Sequence, residues 1–136
     1  MKRDDKRGVP IEWIAIIIGV SSYQQEDLHS LPAAEVDAVN FARAIRNWGI
    51  PEDHILLFIN QEIDKEKLDA VFELLSNKNE KFKLIFYFCG HGHRTLEKTP
   101  KSYLIFYDSH CKSEGCTRAL DLDCFFEKIA KINSLE

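Results

Sequence analysis

The sequence predicts an α/β domain: a mostly parallel sheet with helices on both faces, in three layers. Three observations predict it. Residues 13–20 (Trp-Ile-Ala-Ile-Ile-Ile-Gly-Val) and 84–89 (Leu-Ile-Phe-Tyr-Phe-Cys) are apolar runs without alternation, the pattern of strands buried on both faces. Between them apolar residues recur at helical spacing. The resulting order, β-α-β-α-β, is that of parallel strands joined by right-handed crossovers.

In chain order, Met1-Lys-Arg-Asp-Asp-Lys-Arg7 opens a charged tail, residues 1–9, ahead of one domain over 10–136. The first strand, 13–20, leads into a polar loop, Ser21 to Ser30. A helix of about 33–48 follows Leu31-Pro32, with Ala34, Ala38, Phe41, Ile45 and Trp48 on one face. Gly49 and Pro51 end it. His54-Ile-Leu-Leu-Phe-Ile59 is the second strand, and Asp64 caps a second helix whose stripe is Leu68, Val71, Phe72 and Leu75. The third strand, taken as central, ends at Cys89. A polar loop, 93–101, precedes a shorter fourth strand, 102–107. A loop, 108–117, then leads to a third helix, roughly 120–132, marked by Leu120, Leu122, Phe125, Phe126, Ile129 and Ile132. The pattern calls for another strand next, so the fold is expected to be incomplete at its C-terminus.

Composition narrows the function. The 136 residues fit one domain, and 45% hydrophobic with 29% charged residues fits a soluble, folded chain. A net charge of −4 and the lack of a basic, aromatic-studded stripe argue against nucleic acid. The longest apolar run is too short to span a membrane, and no secretory cleavage pattern is present. A cytoplasmic chain is expected, with Cys89, Cys111, Cys116 and Cys124 as thiols rather than a disulfide framework. The first strand-to-helix loop carries neither Gly-x-Gly-x-x-Gly nor Gly-Lys-Ser/Thr, which argues against nucleotide binding.

Chemistry points to Gly90-His91-Gly92, at the carboxyl end of a buried strand, where α/β sheets place their ligands. His91 reads as a working imidazole or as a histidine bonded to a nearby carbonyl. The two glycines let the chain turn sharply and a neighbour approach. Asp37, in the first helical turn, reads as a complement to the helix dipole. Cys89 and Cys124 read as packing residues. Zinc is the competing chemistry: Cys89, His91, His93, His110, Cys111 and Cys116 are ligand types, but no Cys-x-x-Cys pair is present.

Phe86-Tyr-Phe-Cys-Gly-His-Gly92 resembles the histidine motif of the caspase-like cysteine peptidases, the caspases, metacaspases and paracaspases. Ile16-Ile-Ile-Gly-Val20 resembles their first strand, Leu31-Pro-Ala-Ala-Glu-Val-Asp-Ala38 their first-helix acidic segment, and Tyr103-Leu-Ile-Phe-Tyr-Asp-Ser109 the strand and Asp after the histidine loop. The resemblance covers about residues 13–132 and implies a caspase-like fold. It implies that His91 is the acid/base partner of a cysteine thiolate and that the Gly92 N–H joins the oxyanion hole. It further implies that Asp37 lines an S1 pocket for Arg or Lys. No cofactor is required, and no EF-hand calcium loop is present. The partner implied is a peptide or protein substrate.

The caspase nucleophile lies about fifty residues beyond its histidine, near position 141 here. The chain is therefore expected to be the histidine-bearing large part of the domain, its nucleophile on a C-terminal continuation or a second subunit. Asp108-Ser-His-Cys111 imitates the nucleophile motif but comes only twenty residues after His91, before the third helix. The alternatives are a non-catalytic caspase-like binding or regulatory module and, less favoured, a zinc-binding domain.

Overall fold

The structure, a computed structural model, describes residues 3–4, 9–132 and 135. Most of the predicted tail lies outside them; what is described is a short antiparallel pairing of β1 (Arg3–Asp4) with β2 (Val9–Pro10). The body is a parallel sheet of β3 (Glu12–Gly19), β4 (Ile55–Ile59) and β5 (Phe82–Cys89), in the order β4-β3-β5. Ala15 pairs with Ile55 and with Ile85, and Gly19 with Ile59 and Cys89, so all three strands end at one level.

β3 is the central strand, and its alternating side chains feed two cores on opposite faces. Ile14, Ile16, Ile18 and Val20 pack with Leu68, Phe72 and Leu75 of α2 (Lys65–Ser76) and Phe125 of α3 (Leu122–Ala130). Ala15 and Ile17 pack with Ala38, Ala42 and Ile45 of α1 (Pro32–Trp48). Burying one such isoleucine is worth about 1.5–3 kcal/mol at most. An exposed pair such as Arg46–Glu52, at 3.5 Å, is worth about 0–1 kcal/mol, so the apolar faces hold α1 in place.

Helix starts follow local chemistry. Asp64 caps α2 by accepting from Lys67 N at 2.8 Å, and Asp121 caps α3 by accepting from Asp123 N at 3.0 Å. α1 has no side-chain cap of its own. Pro32 opens it, and Ser21 Oγ, from the loop after β3, accepts from Glu35 N at 2.9 Å.

Several expectations are corrected. β3, not β5, is the central strand, and β5 lies at an edge, so Leu84 to Cys89 are only half-buried while Phe82 is fully buried. Trp48 is 61% exposed and leans edge-on against Trp13; Ala42 fills the face instead. Because α1 begins at Pro32, the first-turn acid is Glu35, and Asp37 sits one turn later. Residues 102–107 do not extend the parallel sheet. Their β7 (Ser102–Leu104) lies between β6 (Gly92–Arg94) and β10 (Leu120–Asp121) in an antiparallel sheet, and residues 105–107 leave the strand. The loop 108–117 contains a hairpin of β8 (His110–Lys112) and β9 (Gly115–Thr117). Cys111 and Cys116, expected as thiols, face each other there as a disulfide. A direct cross-strand pair brings two side chains together, which linear spacing does not reveal. Cys124, expected to pack beside the apolar face of the third helix, is exposed.

Beyond α3, Leu135 makes a parallel bridge to Phe82, at the start of β5 on its outer edge.

Candidate active site

His91 follows β5 immediately and stands where the parallel strands end. Four contacts with the loop after β3 fix it. Its backbone N–H donates to the Tyr23 hydroxyl at 2.7 Å, and that hydroxyl donates to Val20 O at 2.8 Å. Its ring packs against Tyr23 at 4.7 Å and edge-on against His29 at 4.9 Å. Its Nε2 lies 2.8 Å from His29 O. A carbonyl only accepts, so Nε2 carries the hydrogen and Nδ1 is left as the basic nitrogen of the neutral ring. The plain reading of His91, a carbonyl-bonded histidine at a strand end, is thus met, and the same bond sets the ring's tautomer.

The loop that supplies these contacts is held at both ends. Asn60, after β4 and in the left-handed region at φ 53°, accepts from Ser21 N at 2.8 Å and Ser22 N at 3.2 Å. It also donates to Glu35 at 3.3 Å. At the far side, the Gln25 side chain pairs with the Cys111 backbone, accepting from its N–H at 2.7 Å and donating to its carbonyl at 3.0 Å. The loop thereby spans from the parallel sheet to the β8–β9 hairpin.

The close approach of a neighbour expected at the glycines is met at Gly90. Neither Gly90 nor Gly92 has positive φ. A Cβ on Gly90 would lie 2.8 Å from the Tyr23 hydroxyl and 3.1 Å from the Phe88 ring, so the position makes room for Tyr23. Gly92 begins β6, opposite Leu104. Ile105 N donates to His91 O at 3.1 Å and Thr95 N to Lys101 O at 2.9 Å, which identifies those two pairs as the hydrogen-bonded ones. By the alternation of an antiparallel ladder the Gly92–Leu104 pair is not. The Gly92 N–H therefore points away from β7, along the open edge of β6.

Asp37 is exposed on α1 and forms neither hydrogen bond nor ion pair among the described residues. Burial, then Cys89 and then the Asp37 charge push the Tyr87 phenol above its ordinary value. Tyr87 itself stacks on Phe41 of α1 at 4.2 Å. Asp37 thus belongs to the α1 side of the sheet's carboxyl end, whereas Tyr23 and His29 stand directly on His91. A separate open cavity of about 640 Å³ lies between the loop and the hairpin, lined by Gln24, Gln25, Glu26, Asp27, Ser109 and His110.

Among the candidate ligands, His93, Cys111 and Cys116 come together, while Cys89, His91 and His110 do not join them. His29 and Asn60 were not singled out by sequence. A backbone carbonyl has no residue signature, and an Asn after a strand reads as an ordinary turn.

The caspase domain family matches this chain over residues 12–132. Among solved structures, the chain is similar to protein GSU0716 from Geobacter sulfurreducens, with a TM-score of 0.70 at 15% identity. That likeness covers 92% of this chain and 47% of the other, so the chain spans about half the length of its structural relative. No curated protein matches. Among the described residues, no helix is long and apolar enough to cross a membrane.

Proposed function

The chain belongs to the caspase domain family, and from that premise we propose that it is the histidine-bearing part of a cysteine endopeptidase of metacaspase or paracaspase type. The observation that carries the reading is the bond from His91 Nε2 to His29 O. It holds the ring with Nδ1 free to take a proton from a thiol and return it to the leaving amine. The Gly92 N–H, turned to the open edge of β6, serves as an oxyanion donor. Asp37, exposed and unpaired at the same end of the sheet, receives an Arg or Lys side chain at P1. The helices on the two faces of the sheet make up the three layers of a caspase-like fold.

The nucleophile belongs to a segment outside these residues. Cys111 is tied to Cys116, and Cys124 lies exposed on α3. Leu135 starts alongside Phe82 in parallel. A strand continuing from it in register would draw level with Cys89 seven residues later, beside His91. A continuation or second subunit supplies that strand, and a reducing cytoplasm keeps its cysteine active. The pairing of Cys111 also favours a second reading, a non-catalytic binding or regulatory module.

Two experiments test this. Intact mass of the native gene product and of any copurifying polypeptide shows whether a strand ending in Asp-x-Cys accompanies the chain. If it does, the assembled protein should cleave after Arg or Lys in a thiol-alkylation-sensitive reaction. His91→Ala should lower the rate about 10²–10⁴-fold, and Asp37→Asn should weaken the preference for a basic P1. A native protein without such a cysteine, or cleavage indifferent to His91→Ala, would reject the peptidase and leave the module.

A further inference from the structure

We propose that His93, Cys111 and Cys116 form a zinc site in the dithiol state of the protein, a site that the disulfide closes in the state described here. One imidazole nitrogen and two sulfurs, from β6, β8 and β9, lie within 4.8 Å of one another and are half-buried. His93 Nε2 is buried and has no hydrogen-bond partner. A buried polar nitrogen normally has one, and the ring that carries it brings a nitrogen within 4.8 Å of both sulfurs. Cys111-Lys-Ser-Glu-Gly-Cys116 is a Cys-x₄-Cys pair, within the spacing that zinc ligands use.

The surroundings hold the three ligands before any metal arrives. Gln25 fixes the Cys111 backbone from both its N–H and its carbonyl. His93 is locked opposite Tyr103 in the β6–β7 ladder, and a Cβ on Gly115 would meet the Tyr103 hydroxyl at 3.2 Å, so the hairpin lies against that same tyrosine. Two thiolates neutralise a divalent cation, and sulfur with imidazole selects zinc over magnesium or calcium. Three protein ligands leave the fourth position to water.

The two states exclude each other. In the disulfide neither sulfur carries a charge to donate. A trialkylphosphine opens it: the S–S bond breaks and takes up two electrons and two protons, and the phosphine becomes its oxide with oxygen from water. Zinc then replaces the two thiol protons, which are released, as two Zn–S bonds form. This site is separate from the proposed peptidase chemistry, and its test needs no activity.

The test is a Co²⁺ titration of the whole chain, followed by its thiolate-to-cobalt charge-transfer absorption, with zinc added to displace the cobalt. The phosphine-reduced chain should take up one cobalt, and the oxidised chain none. His93→Gln, which leaves hairpin and cysteines in place, should weaken binding tenfold or more. Cys116→Ser should remove most of the charge-transfer band, and the Cys89→Ser/Cys124→Ser double variant should bind as the parent does. Circular dichroism checks that each variant is folded. A reduced chain without the band, a His93→Gln variant that binds as the parent does, or a band lost with Cys89 and Cys124 would overturn the proposal.

Discussion

His91 and His29 are joined by one hydrogen bond, ring Nε2 to backbone carbonyl at 2.8 Å, so a loop following β3 decides which nitrogen of a histidine following β5 is free. The same loop sends Tyr23 to the His91 backbone, and one phenol hydroxyl ties His91 N to Val20 O. The orientation of the imidazole therefore depends on how well residues 21–30 are held.

Tyr23→Phe removes that hydroxyl and leaves a carbonyl and an N–H without their partner. A loss of about 1–3 kcal/mol is expected, read by urea unfolding at neutral pH. Burial, opposed by the hydrogen bond from His91 and assisted by Cys89, pushes the Tyr23 phenol above its ordinary value. The folded state thus favours the protonated phenol. Its contribution is complete below the unfolded pKa of about 10 and is lost as pH rises through the folded value. Tyr23→Phe should remove part of the alkaline loss of stability; an unchanged alkaline profile would contradict this.

Gly19→Ala and Gly90→Ala should differ in severity. A Cβ on Gly19 meets Ala38 Cβ at 2.6 Å and the Ala34 carbonyl at 2.9 Å, both fixed parts of α1. On Gly90 it meets the Tyr23 hydroxyl at 2.8 Å, the end of a side chain that can swing. Overpacking costs about 1–3 kcal/mol, with Gly19→Ala at the upper end and Gly90→Ala below it. In the Gly90 variant the Tyr23 contact should fail while the core stays, so amide exchange should quicken at His91 before it does in β3.

Asn60→Ala removes the acceptor for Ser21 N and Ser22 N and places Ala at φ 53°. A cost of about 1–3 kcal/mol is expected. Asn60→Asp keeps the acceptor and tolerates the backbone, but sets a second carboxylate against Glu35, which Asn60 now bonds at 3.3 Å. It should fall between Asn60 and Ala in thermal melting, and raised salt should recover part of its loss.

Acid should loosen the contact between α2 and α3. Asp69 bonds Lys65 and Lys128 at 2.6 Å each, the second across helices. Burial alone would raise its carboxyl, but the hydrogen bonds and charges of Lys128 and Lys65 together outweigh it and hold the group below the usual range. Its contribution is present above the unfolded pKa of about 3.9 and is lost as pH falls through the folded value. Lys128→Gln should lower stability at pH 7 with little effect below the folded pKa, which flattens that acid limb; an unchanged limb would show that solvent screens the pair.

The sequence by itself determined the local elements and their order. Residues 13–20 read as a buried strand, the Ala34–Ala38–Ile45 spacing as a helix face, and Asp64 as an N-cap, because each depends on residues near in the chain. The histidine between two glycines at a strand end was legible for the same reason. Tertiary structure decided what needs distant partners. It placed β3 rather than β5 at the centre and turned Ser102–Leu104 into an antiparallel sheet. It set Cys111 opposite Cys116 with His93 beside them, and it brought the His29 carbonyl to His91. Strand order and loop approach are set by packing between segments tens of residues apart, and a backbone carbonyl has the same chemistry at every position. No periodicity in the chain encodes where either will meet its partner.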